Sequence, residues 1–230
     1  MPKPNGAVLW EGPSELDGSP VVVIATGLRR PSENAKTGPM IQVWILARDH
    51  HPVKANREGL DGGICGDCPL RGGKDKPRAC YVTLSNAVAA VWRTYKAGNY
   101  THEWGSLPPG IPVRVGAYGD PAAVPTDVWE RLLKGRQWTA YTHQWRGSHG
   151  LKGFAMASVD SDIEYWSAVK KGWRTYRARP KGSPLLPGEI ECPNTTKGVR
   201  CSECKLCSGG AGGARNISVE AHGVGGKYIG

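Results

Sequence analysis

The sequence lacks any apolar run near the roughly 18 residues that a bilayer-spanning helix needs, so no membrane span is expected. It has no Walker sequence, no H-E-x-x-H motif and no evident Ser-His-Asp arrangement, which removes the phosphate-cradle, zincin and serine-hydrolase chemistries that those patterns encode. No solenoid repeat is visible. The apolar stretch Ala7 to Trp10 is short and runs into Glu11, so no signal peptide is expected and the chain is expected to stay in a reducing cytoplasm. Acidic residues are the scarcer charge: 20 Asp and Glu stand against 30 Lys and Arg, a net +10. That balance attracts nucleic acid or other polyanions, but the excess is spread along the chain rather than gathered in one run.

What remains is a chain of 230 residues, 39% hydrophobic and 22% charged, with nine Trp: a soluble, globular composition for one domain, or one domain and a small appendage. Val21 to Ile24 and Ile41 to Leu46 read as strands. Residues 49 to 80, rich in Gly, Asp and Lys, read as an irregular loop ordered by what it binds. Val88, Val91, Trp92 and Tyr95 recur at helical spacing, predicting a helix over 87–97 capped by Ser85 or Asn86 and stopped at Gly98.

From Val113 the alternation becomes regular. Strands are predicted at 113–117, 138–142, 154–158 and 173–177, with helices at 127–134, capped by Thr126, and from the capping box Ser161-Asp162-Ile163-Glu164 to Gly172. Asn216 to Glu220 reads as a closing strand. Such alternation implies right-handed crossovers. The expected class is therefore α/β, with a mainly parallel, partial β/α barrel-like sheet. Residues 1–180 would form the α/β domain with a three-cysteine loop (65–80), and 181–230 a Cys-rich metal-binding segment and closing strand packed on the same domain.

Chemistry in parallel α/β sheets gathers at the carboxyl ends of the strands. Tyr118, Gly119 and Asp120 fall there, as do His143, Gln144 and Arg146, and Asp160. Asp160 reads equally as a helix cap, His143 as a structural histidine, and Asp120 as a turn carboxylate before Pro121. Trp92 and Trp166 are expected in the core and Trp145 beside a pocket. Lys170, Lys171, Arg174, Arg177 and Arg179, with Trp173 and Tyr176, mix cations and rings as single-strand binders do, although cations also suit a helix C-terminus. The Gly-rich run 208–213 reads as a linker, since no helix follows it.

Seven cysteines, an odd number in a reducing compartment, point to metal rather than disulfides. Cys192, Cys201, Cys204 and Cys207 include a C-x2-C-x2-C run with Cys192 followed by Pro193, a set able to hold an iron-sulfur cluster or a four-cysteine zinc. Cys65, Cys68 and Cys80 leave one position open, unless His50 or His51 fills it to close a zinc site.

With these motifs the chain resembles radical S-adenosylmethionine enzymes and similar, often phage-encoded, proteins; a phage origin would make the compartment the host cytoplasm. The resemblance implies a 4Fe-4S cluster on Cys65, Cys68 and Cys80 whose free iron chelates S-adenosylmethionine and cleaves it reductively to a deoxyadenosyl radical. It also implies that Tyr118-Gly119-Asp120-Pro121 stands where the family's Gly-Gly-Glu-Pro loop meets the methionyl amino group, and that the C-terminal cysteines resemble an auxiliary-cluster tail. The family's usual spacing is C-x3-C-x2-C, whereas this chain has C-x2-C-x11-C. The alternative is a zinc-stabilised, basic nucleic-acid-binding protein of phage type.

Overall fold

Three β-branched and aromatic strands open the chain: β1 (Gly6–Pro13), β2 (Pro20–Thr26) and β3 (Ile41–Ala47). They pair antiparallel in order, and β2 and β3 are buried almost throughout, as strands covered on both faces are. The computed structural model describes residues 4–147, 149–210, 215–221 and 226–229.

After β3 the chain crosses over through α1 (Pro52–Glu58), α2 (Gly62–Cys65) and α3 (Ala89–Lys96) to β4 (Val113–Tyr118), which pairs parallel with β3. α4 (Thr126–Leu133) leads to β5 (Trp138–Thr139), parallel to β4. Only Ala140 separates β5 from β6 (Tyr141–Thr142), where a second, all-parallel sheet begins. It contains β7 (Met156–Val159) and, after α5 (Asp162–Lys170), β8 (Thr175–Arg179). β9 (Glu189–Glu191) and β10 (Asn216–Glu220) complete the order β6-β7-β8-β10-β9. α6 (Pro193–Lys197) and α7 (Cys201–Cys204) lie between these two strands in the chain.

β3 to β5 in the first sheet and β6 to β8 in the second follow chain order without a reversal, as in the winding of a β/α barrel, with a break between β5 and β6; the β1–β2 hairpin at one edge and β9 at the other leave it partial. One face of the sheet packs on helices. Val113, Val115 and Ala117 of β4 are buried, as are Val128, Trp129, Leu132 and Leu133 of α4, and Tyr165 and Ala168 of α5. The ladders set the other, inner face: Gln42 beside Arg114, Tyr141 beside Met156, and Ser158, Tyr176, Ile217 and Ile190 in one row.

Several local expectations are corrected. Thr126 is the first residue of α4 rather than its cap, Pro125 taking that place. Neither Ser85 nor Asn86 caps α3; a π-helical turn over Leu84–Val88 leads into it, with Asn86 non-helical. The Ser161 cap is present, accepting from Glu164 N at 3.2 Å, while the Glu164 carboxylate takes the Asp160 N–H at 2.8 Å. Trp166 is 48% exposed, whereas Trp145 is buried beneath the cations of Arg146 and Lys171. Half of the Gly-rich linker, 211–213, lies outside the described residues. Among the described residues no helix is long and apolar enough to cross a membrane.

Candidate metal centre

The three-cysteine loop is ordered by its own polar network. Asp61, fully buried, takes Arg71 Nη1 at 2.8 Å and Asn56 Nδ2 at 2.7 Å on its carboxylate and the Cys65 N–H at 3.0 Å on its carbonyl. Arg78 donates to the Arg71 carbonyl at 2.9 Å, and the Leu70 carbonyl accepts the Cys80 N–H at 2.8 Å. Gly66, at φ 56°, has no room for a side chain against Gln144, whose amide donates to the Cys65 carbonyl at 3.3 Å and to Asp67 at 2.7 Å.

The loop is fixed to the carboxyl end of β4 by the Asp120 N–H, which donates to the Ile64 carbonyl at 2.6 Å. Gly119 makes this turn at φ 85°, where a Cβ would come within 2.6 Å of the Ile45 carbonyl oxygen. The buried Asp120 carboxylate accepts from Ala122 N at 2.9 Å, Thr142 Oγ1 at 2.7 Å and His143 N at 2.8 Å. Burial raises its pKa; these donors pull the other way. Everything the structure gives Asp120 is internal: it joins the loop after β4 to the loop after β6.

That join carries His143 to the cysteines. Its Nε2 lies 3.3 Å from Asp160 Oδ2, outside hydrogen-bond alignment, and the imidazole sits beside the Cys68 thiol. Burial pulls the His143 pKa down, but Asp160 and Cys68 more than offset it. Neither His50 nor His51 is placed this way: His50 is exposed, and His51 meets the Trp92 ring edge-on at 5.3 Å. Of these three histidines, His143 is thus the one beside the first cysteine group. Its place at a strand end was readable from the sequence; its approach to Cys68 was not, since 74 residues and two crossovers lie between them.

Besides His143 Nε2 and Asp160 Oδ2, two further buried groups in this site lack hydrogen-bond partners. The Tyr118 hydroxyl and Arg78 Nε make no hydrogen bond, and the Arg78 guanidinium lies 5.8 Å from the Tyr118 ring centre. Tyr118 is 2% exposed; burial, then Cys65 and Asp61, push its pKa well up. Burial does the same to Cys65, reinforced by Asp61, Cys68 and Cys80. An acceptor-rich group held by three thiolates would satisfy both orphan donors, and an iron-sulfur cluster has sulfur acceptors of this kind.

The C-terminal four gather farther down the inner face. Cys192 donates its N–H to Ser218 of β10 at 2.9 Å, Cys201 to the Lys36 carbonyl at 3.1 Å, and the Cys207 carbonyl accepts from Ala140, the residue between β5 and β6, at 2.9 Å. Burial and then Cys192 raise Cys201, with Arg114 opposing. Cys207 is pushed up to about 12, by burial first and then by Cys192, Cys201 and Cys204, with the Tyr141 hydroxyl opposing. The four thiols share one electrostatic field. Their all-sulfur donor set suits zinc or an iron-sulfur cluster. As the side chains stand, no group of three or more His, Cys, Asp or Glu among the described residues is drawn in to metal-holding geometry.

The basic segment is largely spent inside the protein. Arg177 forks onto Glu189 at 2.8 and 2.7 Å, and Arg179 meets Glu220 at 2.7 Å and Glu191 at 3.0 Å, both buried on the helix-facing side. Arg174 donates to the carbonyls of Leu206 and Arg215, and Trp173 is buried. The expected stripe of cations and rings therefore presents no continuous surface.

No family model, curated protein or solved structure matches the chain. The fold and site define a mixed α/β chain of two five-stranded sheets, one all parallel, with seven free cysteines in two groups.

Proposed function

We propose that the protein is an iron-sulfur protein of radical S-adenosylmethionine-like architecture, with an open three-cysteine site at the carboxyl ends of the strands and a closed four-cysteine site below it. The observation that carries this reading is the Tyr118 hydroxyl and Arg78 Nε, both buried without a partner beside Cys65 and Cys80. When bound, a cluster there supplies one-electron reducing chemistry to a ligand at an iron without a protein donor. The chain's own part would be to hold three thiols on a loop pinned by Asp61, to donate hydrogen bonds from Tyr118 and Arg78, and to keep the Tyr118-Gly119-Asp120 turn where the amino group of S-adenosylmethionine would be met. Asp120 acts there through the Thr142 and His143 contacts it holds. Nothing in this chemistry requires a membrane, and free thiols suit the cytoplasm.

A second reading rests on the place of His143 beside Cys68: Cys65, Cys68, Cys80 and His143 would close a zinc site, and the protein would be a zinc-stabilised nucleic-acid binder using cations outside 170–179. Anaerobic purification separates the two. A broad absorption band near about 400 nm with bound iron supports the cluster; a colourless protein with about one or two zinc per chain supports the other.

A further inference from the structure

On the inner face, between the two cysteine groups, Arg114 stands among three tyrosines. Its Nη2 donates to the Tyr81 hydroxyl at 2.7 Å and its Nη1 reaches Gln42 Oε1 at 3.4 Å. Arg71, Arg177 and Arg179 each meet a carboxylate at 3.0 Å or closer, whereas among the described residues Arg114 meets none. A half-buried guanidinium hydrogen-bonded only to Tyr81 and Gln42, with the Cys201 thiol in its field, has no carboxylate to neutralise it and can turn its charge to an oxyanion. Tyr141 and Tyr176, from β6 and β8 on either side of β7, form a ring pair with centroids 4.6 Å apart. Tyr81, one residue after Cys80, is 65% exposed and forms the outer side of the cluster.

We propose that this cluster is the substrate-recognition site, and that the substrate is a small molecule carrying a planar ring and an oxyanion, the oxyanion on Arg114 and the ring stacked on the open side of the Tyr141–Tyr176 pair. Its role as a substrate site rests on the cluster-protein reading above, because it lies between the two cysteine groups; its chemistry does not. Phosphate and carboxylate offer the guanidinium the same two-oxygen geometry, and ring stacking on tyrosine is indifferent to the ring's identity. The rival role for Arg114 is as counter-charge to the C-terminal thiolates, since Cys201 lies within its field.

The test measures binding by calorimetry to the full chain, with metal content determined on the same samples. The probes are adenosine monophosphate for the phosphate arm, indole-3-acetate for the carboxylate arm, and adenosine and inorganic phosphate as half-ligands. At least one ring-bearing anion should bind more tightly than either half-ligand. Arg114→Gln should weaken that binding about 10- to 100-fold with metal content unchanged, Tyr176→Ala should weaken it too, and exposed Arg57→Gln should not. Unchanged affinity in Arg114→Gln, or no binding of either ring-bearing anion, overturns the proposal. Loss of metal in step with affinity assigns Arg114 to the thiolates and overturns it as well. Ligand binding to a chain that takes up no metal even on anaerobic reconstitution would refute the cluster reading and leave the ring-and-oxyanion site standing without its role as that enzyme's substrate site.

Discussion

Glu189→Gln exchanges a carboxylate for an amide of the same shape beneath the Arg177 guanidinium, which is 3% exposed and bound to Glu189 through two hydrogen bonds of 2.8 and 2.7 Å. The remaining charge partner is Asp162 at 3.2 Å, whose side chain is 65% exposed and therefore compensates weakly. Removing one partner of a buried pair costs about 3–5 kcal/mol, because the other charge is left without compensation. In a chain of this size each kcal/mol moves the melting temperature by about 2–4 °C, so the expected fall is about 6–20 °C. Replacing both partners, Arg177→Met with Glu189→Leu, should cost less than the single change, since no charge is then stranded. The double variant should also keep the wild-type salt dependence of any oligonucleotide binding, the guanidinium facing helix α5 rather than solvent. Thermal unfolding followed by near-ultraviolet circular dichroism reads these values. A Glu189→Gln protein melting within about 2 °C of wild type would refute the reasoning.

Three further outcomes are expected. His143→Ala should leave iron bound if the three-cysteine site is open, and His51→Ala should leave the metal, iron or zinc, bound in either reading because His51 faces Trp92; metal release in His143→Ala alone would establish the closed zinc site. Cys204→Ser should lower metal content and make the segment from Pro180 to Arg215 protease-sensitive, since β9, α6 and α7 there bury little apolar surface of their own; intact metal stoichiometry and unchanged proteolysis would contradict this. Tyr95, raised to about 12 by burial first and by Glu11 second, joins α3 to β1 through a 3.0 Å hydrogen bond. Its folded pKa lies above its unfolded value, so its contribution is complete below about pH 10 and is lost as pH rises through 12; an ultraviolet titration of Tyr95→Phe against wild type should lack one late phenolate.

The strand and helix alternation after Val113 was legible because each element carries its own period, caps and stops, and the winding of the sheet follows from it. Less legible were the short polar elements. α1 has only Pro52 and Ala55 buried and reads as loop, and β9 turns Glu189 and Glu191 toward Arg177 and Arg179, so that its inward residues look like solvent-facing ones. The cysteines announced themselves by spacing. Their surroundings did not: Tyr118 was visible as a strand-end residue, but its stranded hydroxyl depends on a loop that begins more than fifty residues earlier. Trp166 is half-exposed rather than in the core, and Trp145 is buried because a loop residue can be roofed by cations, which no local period records.

The most direct measurement is iron and acid-labile sulfide per chain after anaerobic reconstitution, in wild type and in the Cys65→Ser, Cys68→Ser, Cys80→Ser triple variant. Two clusters predict about eight iron and eight sulfide in wild type and about four of each in the variant, with the C-terminal cluster retained. Zinc in place of iron, or an iron content that the triple substitution does not change, would contradict the assignment.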